Sequence, residues 1–440
     1  MLLSLLACSE PGPLVVLVSL DTVRADALGA YGHAEAHTPN LDGLAQDGLL
    51  FEMALAHSPT TLASHAAIFS GLDSHGHAVV RNGYPLYERL DLLPERFAAA
   101  GWDTIGVVGA SPLEHAMGLD QGFRVYVDHD LKPWEGQVEV PADTVVQRAL
   151  SELDAAEDGP TFLFVHLYDA HMPWDSAPAA LRGELVGDYT GPITGTTENI
   201  LALSNPEFLA SLGPSDVRAA QAMYQAEIAW IDQQLGPLLR GLEQRRPDLL
   251  VALTSDHGEC MGQDEGCQTL FGHGPDVDLA LLRVPLILRG TGSLAIEPGR
   301  DSRLARHQDL GTTLLTRAGL TPSSLGQGLD LLAPPPAAVI SFAEATKPIE
   351  REATTAWNNL PFERSVAASG HLLIGDPQAG QAHLFRLDPE QTPTTEDQLG
   401  PVLVQQLQAL DLITPDHREP EMTEAMREAL MQLGYLERSP

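Results

Sequence analysis

Lysine is almost absent from this chain of 440 residues, which contains only Lys132 and Lys347. Acidic residues outnumber basic ones by 60 to 25, and the formal net charge is −35. A charge of this size repels phosphate backbones and anionic headgroups, which argues against nucleic-acid binding. Because lysine is so scarce, positive charge in a binding site must come from arginine, histidine or a metal ion.

Aromatic residues are also sparse, at 5%, whereas apolar residues as a whole make up 44% of the chain. That apolar content is enough for a sizeable core and argues against disorder over most of the length. The chain is longer than most single domains, so we expect one large domain and a smaller appendage.

Long apolar runs are missing as well. The N-terminal apolar run at residues 1–7 is too short to span a bilayer. It also lacks the basic residues that open a secretory signal. A start codon further upstream would supply those basic residues and a longer apolar run. The run ends in Leu-Leu-Ala-Cys, which resembles the lipobox of bacterial lipoproteins. The alternative is an ordinary apolar N-terminus. We expect Cys8 to be acylated on a bacterial lipoprotein of the periplasm, outer membrane or cell surface, with membrane contact only through that lipid.

The cysteine count fits an oxidising compartment. If Cys8 carries lipid, Cys260 and Cys267 remain as an even pair that flanks a glycine-rich acidic segment. No second pair of cysteines or histidines completes a tetrahedral metal site with them. A disulfide between Cys260 and Cys267 is therefore predicted.

Continuous apolar runs predict strands that are buried on both faces. These runs cover residues 14–20, 104–108, 162–167, 249–253 and 284–288. Helical spacing predicts helices at 40–46, 87–100, 141–156 and 214–245, with Asp216 placed to cap the last one. Strands that alternate with helices indicate an α/β fold with a mostly parallel sheet covered on both faces.

Changes in composition predict the domain organisation. Residues 172–208 are rich in proline, glycine, threonine and aspartate and predict a long insertion or loop. The proline run at 333–337 predicts a linker. Short alternating runs at 365–374 and 383–387, followed by a helix at 419–433, predict a small α+β subdomain. We therefore expect a signal and tether at 1–13, a main domain at 14–332 and a C-terminal subdomain at 338–440.

Polar side chains follow three of the predicted strands directly. Asp21 follows the first strand, Asp169 follows the 162–167 strand, and Asp256 and His257 follow the 249–253 strand. The carboxyl ends of parallel strands meet at one edge of a sheet, where ligands gather. Carboxylates that converge there repel each other unless a cation lies between them. Asp21, Asp256 and His257 therefore predict a metal site, and the alternative is that both aspartates only cap the turns that follow.

Several motifs in a fixed order resemble those of the sulfatase family. The segment at 58–71, Ser-Pro-Thr-Thr-Leu-Ala-Ser-His-Ala-Ala-Ile-Phe-Ser-Gly, resembles the family's signature. Leu-Asp-Thr-Val-Arg-Ala-Asp at 20–26 is similar to its metal-binding opening. Further similar blocks lie at 38–42, 164–173, 254–259, 282–287 and 384–389. The resemblance runs from about residue 14 to the end of the chain, and this many ordered blocks make it specific.

The resemblance implies an alkaline-phosphatase-like α/β/α sandwich, with a mostly parallel sheet and residues 14–332 as the catalytic domain. It implies hydrolysis of a sulfate or phosphate ester of a small molecule or glycan. One divalent metal ion would be bound by Asp21, Asp256, His257 and the nucleophile. Calcium is usual in the family, and the imidazole ligand favours manganese or zinc. The nucleophile position falls on Thr61 at a predicted helix start, where the helix dipole and the metal favour an ionised oxygen.

The chain departs from the family's pattern around the nucleophile. Most sulfatases carry a cysteine or serine there, which is oxidised to formylglycine and followed by proline and arginine. Here the three positions hold Thr61, Ala63 and His65. Threonine cannot become formylglycine, so none is expected, and related phosphatases and phosphodiesterases use unmodified threonine or serine. Thr22 replaces the second metal-binding aspartate, and His115 is the basic residue nearest to the position of the family's missing lysine.

Histidines are expected to take over the basic roles. His171 or His273 would protonate the leaving oxygen, and His65, His166 and His115 would contact the substrate. The alternative for a histidine in such a run is a hydrogen-bonded structural role.

Three functions fit these residues. The first is a metal-dependent hydrolase of phosphate or phosphonate esters with Thr61 as nucleophile, and the second is a sulfatase that acts without formylglycine. The third is a non-catalytic surface lipoprotein that binds sulfated or phosphorylated glycans. An intact set of metal ligands argues against the third.

Overall fold

The computed structural model describes residues 11–410 apart from 129–138, 204, 263–266, 268, 323–325, 347–362, 377–380, 389–391 and 395–399. Cys8 and the predicted helix at 419–433 lie outside the described residues. No helix in the described part of the chain is long and apolar enough to cross a membrane.

Strands and helices alternate through most of the described chain. The strands are β1 (Leu14–Leu20), β2 (Leu49–Leu55), β3 (Asp103–Val108), β4 (Val125–Val127), β5 (Thr161–Leu167), β6 (Leu249–Ser255), β7 (Cys260–Met261), β8 (Phe271–Gly272), β9 (Arg283–Val284), β10 (Leu286–Gly290), β11 (Gly299–Arg306), β12 (Ile340–Ala345), β13 (Glu363–Ala368), β14 (His371–Asp376) and β15 (Gln381–Arg386). The helices are α1 (Pro39–Gln46), α2 (Thr61–Ser70), α3 (Ser74–His77), α4 (Leu93–Ala99), α5 (Ala142–Ala155), α6 (Ala179–Val186), α7 (Thr197–Leu203), α8 (Pro206–Ser211), α9 (Pro214–Arg245), α10 (Leu279–Leu282), α11 (His307–Arg317) and α12 (Gly400–Leu410).

The central sheet has the strand order β11-β2-β10-β6-β1-β5-β3-β4, with β9 paired to β2. Strand β1 lies in its middle and runs parallel to both β5 and β6. Leu20 pairs with Leu167 on one side and with Ser255 on the other. Because these strands end in register, Asp21 and Asp256 leave the sheet side by side.

Both faces of the central sheet are covered, because alternate residues of β1 enter different cores. Val15 and Leu17 belong to a core formed with helices α2, α4 and α11. Val16 and Val18 belong to a second core formed with α1, α5 and α9. The predicted α/β/α sandwich with a mostly parallel sheet is confirmed.

The C-terminal strands form a separate antiparallel sheet in the order β12-β13-β14-β15. Ala367 and Leu372 on one face join the core that contains α2 and α11. Val366 and Leu373 pack with Leu403 of helix α12 on the other face. This small α+β unit agrees with the predicted subdomain, although α12 was not predicted.

Three local predictions were wrong. The helix expected at 87–100 forms only over Leu93–Ala99, because Pro94 suits a first helical turn and Glu95 accepts a hydrogen bond from the Leu92 amide at 2.8 Å. The expected loop at 172–208 contains α6, α7 and the start of α8. The strand expected at 284–288 is split into β9 and β10 at Pro285, which has no amide hydrogen to donate.

Candidate active site

Ligand atoms of Asp21, Asp256 and His257 lie within 4.8 Å of one another at the carboxyl edge of the central sheet. All three side chains are completely buried. Strands β1 and β6 place them there through their shared register. The structure therefore brings together the three residues that the strand ends predicted as metal ligands.

Each of the three side chains is held at one end and leaves one atom without a hydrogen bond, although Asp256 Oδ2 and His257 Nε2 lie 3.4 Å from each other. Asp21 Oδ2 lies 3.1 Å from His166 Nε2, and Asp256 Oδ1 accepts hydrogen bonds from the amides of Thr22 and His257 at 3.1 and 2.7 Å. His257 Nδ1 lies 2.9 Å from the Gly258 carbonyl oxygen. Asp21 Oδ1, Asp256 Oδ2 and His257 Nε2 make no hydrogen bond. Buried polar atoms are normally satisfied, so three such atoms in one place point to a bound cation.

The charge of this cluster is also consistent with a bound cation. Burial raises the pKa of Asp21 to about 7, against the opposing effects of His257, Asp256 and Thr61. Burial and the neighbouring Asp21 raise the pKa of Asp256 as well. Two buried carboxyls this close do not both ionise in the protein alone. A divalent ion would remove that penalty, and two carboxylates with one imidazole are a suitable donor set for it.

Thr22 occupies an unusual backbone conformation beside the cluster. Its φ is +57°, in the left-handed region that a β-branched residue rarely adopts and that costs about 1–3 kcal/mol. Two contacts hold it there: its amide donates to Asp256, and its carbonyl oxygen accepts from the Tyr224 hydroxyl at 2.7 Å. The buried Thr22 Oγ1 makes no hydrogen bond. The structure thus maintains this strained turn next to Asp21.

Thr61 is the first residue of helix α2 and is completely buried. Its Oγ1 makes no hydrogen bond, and its hydroxyl lies close enough to Asp21 to oppose the rise in the pKa of that carboxyl. The next amide, that of Leu62, donates to Asn82 Oδ1 at 2.7 Å and so fixes the helix start. Thr61 therefore presents an unengaged hydroxyl at the positive end of a helix dipole.

Ser64 lies one turn further along the same helix and is already engaged. Its Oγ donates to the Asp256 carbonyl oxygen at 2.6 Å and lies 3.0 Å from His307 Nδ1. His307 Nε2 in turn lies 2.9 Å from the Ser255 carbonyl oxygen. These contacts tie helix α2 to the end of β6 and make Ser64 a structural residue.

His171 and His273 lie beside the cluster, as the sequence predicted. The His273 ring centroid is 4.4 Å from that of His257 and 5.1 Å from that of His171. His273 Nδ1 lies 3.2 Å from a Glu259 carboxylate oxygen, and His171 Nδ1 lies 2.6 Å from the Met172 carbonyl oxygen. Both acceptors favour the tautomer that carries its hydrogen on Nδ1.

The structure does not place the other three histidines as the sequence predicted. His65 is completely buried, with Nδ1 2.7 Å from the Thr61 carbonyl oxygen and Nε2 2.8 Å from Ser19 Oγ. Both of its ring nitrogens are therefore used inside the protein. His166 is also completely buried and meets Asp21. Both hold other residues of the site: His65 holds the start of helix α2, and His166 holds Asp21.

His115 is a surface residue. Its side chain is 62% exposed, and its Nδ1 lies 2.8 Å from Asp128. The hydrogen bond to Asp128 raises the pKa of His115. No contact in the described part of the chain links it to the buried cluster.

Several residues that shape the site were not predicted from the sequence. Glu259 follows the predicted ligand His257 by two positions and was the easiest to find, because it lies in the family-like block at 254–259. Asn82 and Tyr224 gave no local signal, since each reaches the site from a distant segment.

The predicted disulfide between Cys260 and Cys267 is present and closes the segment that joins β7 to β8.

The two arginines nearest the motifs are engaged by the protein. Arg24 donates from Nε and Nη2 to Asp26 at 2.8 and 2.7 Å, and from Nη1 to the Glu259 carbonyl oxygen at 3.1 Å. Arg283 donates to the Glu52 carbonyl oxygen at 3.1 Å. Arg283 therefore ties β9 to strand β2.

Comparison with known proteins identifies the family. The Sulfatase family model matches residues 13–320, which is more than half of the chain. The chain belongs to the sulfatase family. It is accordingly an ester hydrolase built on the alkaline-phosphatase-like fold.

Relatives in this family include sulfatases from distant organisms. An arylsulfatase of Clostridium perfringens is 24% identical over 381 residues, covering 72% of this chain and 77% of the relative. The N-acetylgalactosamine-6-sulfatase of Rattus norvegicus is 34% identical over 401 residues, covering 75% and 67%. Among solved structures, the phosphonate monoester hydrolase of Agrobacterium radiobacter has a TM-score of 0.65 at 23% identity, covering 94% of this chain and 98% of that one. That structural likeness shows the shared fold.

Proposed function

We propose that this sulfatase-family protein is a hydrolase that depends on one divalent metal ion and uses Thr61 as its nucleophile. The observation that carries the proposal is the convergence of unsatisfied atoms: Asp21 Oδ1, Asp256 Oδ2, His257 Nε2 and Thr61 Oγ1 are all buried and without hydrogen bonds. Such a set has no structural purpose by itself, since each atom costs desolvation energy. It suits a site in which a cation and an ester oxygen complete the contacts.

Asp21, Asp256, His257 and the Thr61 hydroxyl would hold the ion. When bound, the ion supplies positive charge that lowers the pKa of a neighbouring hydroxyl and offsets the negative charge of the ester. The carboxylates suit calcium, and the imidazole favours manganese or zinc. No formylglycine is expected, because the threonine Cβ carries a methyl group and its oxidation would not give an aldehyde.

Each of the site residues then has a separate role in the reaction. The Thr61 hydroxyl first loses its proton to solvent water. Its ionised oxygen then attacks the sulfur or phosphorus atom, the bond to the alcohol oxygen breaks, and a Thr61 ester forms. His273 or His171 donates a proton to the departing oxygen, and the same histidine later accepts one from the water that hydrolyses the Thr61 ester. Glu259 stabilises the protonated form of His273. His166 and His65 hold Asp21 and the start of helix α2 in place.

The substrate is proposed to be a sulfate or phosphate ester of a small molecule or a glycan. The names of the relatives include sulfatases for sulfated amino sugars and a phosphonate monoester hydrolase. The unmodified Thr61 favours a phosphate or phosphonate ester, because an alkoxide nucleophile on phosphorus needs no aldehyde hydrate. A non-catalytic glycan-binding role is disfavoured, because it would leave the Thr61 hydroxyl and the buried carboxylates without use.

One paired assay tests this function. The purified protein would be given nitrophenyl sulfate, nitrophenyl phosphate and bis-nitrophenyl phosphate, each without metal and with calcium, manganese or zinc. We expect turnover of at least one ester that is lost with a chelator and restored by one of the ions. Absence of turnover on all three esters with every ion would contradict the proposal and favour the binding role.

We also propose that Cys8 carries a lipid that anchors the protein to a bacterial membrane, on the strength of the lipobox-like run alone. Membrane fractionation and mass spectrometry of the N-terminal peptide from native cells test this. An unmodified peptide spanning residues 1–8 would contradict it.

A further inference from the structure

The turn that follows strand β1 is held by three side chains from distant parts of the chain. Its successive amides at 22–24 donate, in order, to Asp256 Oδ1, Ser255 Oγ and the Tyr224 hydroxyl, at 3.1, 2.9 and 3.0 Å. Each of these amides therefore has its own side-chain acceptor. Together the three contacts fix the path of the chain directly after the proposed ligand Asp21.

Tyr224 also holds the carbonyl side of this turn. It is buried on helix α9, and its hydroxyl donates to the Thr22 carbonyl oxygen at 2.7 Å while it accepts from the Arg24 amide. A phenolic hydroxyl has one hydrogen to donate and lone pairs that accept, so it can make both contacts at once. We call this arrangement, in which one hydroxyl joins Thr22 to Arg24, the Tyr224 clamp.

The Tyr224 clamp holds a backbone conformation that threonine avoids. The φ of Thr22 is +57°, in the left-handed region, where a β-branched residue persists only if the surrounding contacts enforce it. In an extended conformation the Thr22 amide would turn away from Asp256. Backbone strain of this kind clusters at functional sites, and this strained residue lies between two proposed ligands, Asp21 and Asp256.

The orientation of Asp256 depends on the same turn. Its Oδ1 accepts from the amides of Thr22 and His257 at 3.1 and 2.7 Å, whereas its Oδ2 makes no hydrogen bond. Loss of the Thr22 amide would remove one of the two donors that hold the carboxylate plane. The turn therefore sets the orientation of Asp256 through a hydrogen bond and the position of Asp21 through the peptide that joins it to Thr22.

We propose that Tyr224 is a positioning residue for the metal site and acts through the Thr22 turn on Asp21 and Asp256. The inference rests on the proposed function in that these two carboxylates hold the ion. It gives helix α9, on which none of the proposed ligands lies, control over metal affinity. Residues that orient a metal ligand typically change the affinity about 10–100-fold.

Two substitutions at Thr22 separate backbone strain from the threonine side chain. Thr22→Ala and Thr22→Gly both remove the hydroxyl and the methyl group, but only glycine enters the left-handed region without steric cost. Tyr224→Phe would be made in the parent and in each of these variants.

Tyr31→Phe is the matched control for the loss of a tyrosine hydroxyl. The Tyr31 hydroxyl also accepts from a backbone amide, that of Leu286 at 2.8 Å, and donates to a backbone carbonyl oxygen, that of Phe51 at 3.0 Å. These contacts hold strands β10 and β2 and not the turn at 22–24. The control therefore removes the same kinds of hydrogen bond without releasing the Tyr224 clamp.

Calorimetric titration with calcium, manganese and zinc would measure metal affinity. Tyr224→Phe should weaken the binding of the tightest ion about 10–100-fold in the parent and in Thr22→Ala. In Thr22→Gly the same substitution should weaken it less than about threefold, because glycine keeps the turn without the clamp. Tyr31→Phe should bind like the parent. Unaltered affinity in Tyr224→Phe, an equal loss in Thr22→Gly, or a comparable loss in Tyr31→Phe would overturn the proposal.

Hydrogen exchange in the metal-free proteins separates this inference from the proposed function. Mass spectrometry of the peptide that spans the turn should show faster exchange at 22–24 in Tyr224→Phe than in the parent, and Thr22→Gly should suppress that increase. A parent protein that binds none of the three ions would contradict the proposed function, and the exchange rates would still test the clamp. Equal exchange at 22–24 in the parent and in Tyr224→Phe would overturn it.

Discussion

Two clusters of titratable side chains lie near helix α2. They differ in whether neighbouring protein groups of opposite charge neutralise them. The first is the active-site cluster around Asp21, Asp256 and His257. The second, which we call the α3 cluster, consists of His57, His75 and His77 around helix α3. The three histidines of the α3 cluster are close enough that His57 and His75 help to lower the pKa of His77.

The α3 cluster contacts a carboxylate, that of Glu344, which already has partners within the protein. Glu344 Oε1 lies 2.5 Å from His75 Nε2 and 2.9 Å from Arg364 Nε. Within the described residues, this cluster does not bring three ligand atoms within 4.8 Å of one another. The active-site cluster instead places two carboxylates together with no arginine or lysine between them. In the α3 cluster, buried charges of opposite sign neutralise each other within the protein. In the active-site cluster, the two buried carboxyls have the same sign, so a bound cation would remove their repulsion.

The largest expected effect is on Thr61. Thr61→Ala should lower kcat roughly 10³-fold or more, because the covalent path is lost, while Thr61→Ser should keep substantial activity. Thr60→Ala, at the preceding position, is the matched control and should stay close to the parent. Steady-state kinetics on the best nitrophenyl ester would measure this, and Thr61→Ala within tenfold of the parent would rule out the nucleophile assignment.

The next prediction compares one carboxylate from each cluster. Asp256→Asn should abolish metal binding and activity without lowering the melting temperature of the metal-free protein, since it removes repulsion with Asp21. Glu344→Gln should leave the metal content unchanged but destabilise the fold by up to about 3 kcal/mol, because Arg364 loses the charge that it faces. Elemental analysis and thermal unfolding would separate the two. Equal metal loss in both variants would remove the distinction between the clusters.

A smaller effect is expected from His166, which holds Asp21. His166→Ala should weaken metal affinity about 10–100-fold, as is usual for residues that orient a ligand. His166→Gln should recover part of the loss, because its amide can still donate to Asp21. His75→Gln, in the α3 cluster, should leave the affinity unchanged. Metal titration by calorimetry would test this, and an unaltered affinity in His166→Ala would contradict the positioning role.

The two clusters should also respond to pH in different windows. Burial raises the pKa of Asp21 to about 7, so a proton competes with the metal and affinity should fall as pH drops through 7.

Burial lowers the pKa of His77 from 6.5 to about 3, so the unfolded chain binds the proton first. Stability should therefore decline as pH falls from 6.5 towards 3, by about 1.4 kcal/mol per pH unit for this group.

His77→Asn isolates that second effect. An asparagine oxygen can replace His77 Nδ1 as acceptor for the Val79 amide, which lies 3.0 Å away. Denaturant unfolding between pH 4 and 7 should show a shallower slope in His77→Asn than in the parent, with metal affinity unaltered. Parallel slopes in the two proteins would exclude His77 as a source of the acid sensitivity.

The sequence predicted the centre of the molecule better than its edges. Strands β1, β5 and β6 are continuous apolar runs, and their polar ends predicted Asp21, Asp256 and His257 as neighbours. Strand β11 was missed because its sequence is mostly polar, and β2 was missed although only Glu52 interrupts its apolar run. The roles of His65 and His166 could not be predicted, since a family position says which residue is near the substrate but not which way its ring points.

Residues that reach the site from far along the chain were also beyond sequence reasoning. Tyr224 holds the Thr22 turn from helix α9, and Asn82 holds the start of helix α2 from the segment after α3. Neither sits in a motif, and their partners are defined only by tertiary packing. Glu259 differs, because its position two residues after His257 was visible and its contact with His273 follows from the β7–β8 pairing.

The most direct test of the central claim is to locate the covalent ester. The metal-loaded protein would be mixed with an excess of its best nitrophenyl ester, quenched in acid during turnover, digested and mapped by mass spectrometry. The account predicts one sulfo or phospho group on Thr61, absent from Thr61→Ala and from chelated protein. A group found on Ser64 instead, or a burst of nitrophenol with no modified residue, would contradict it.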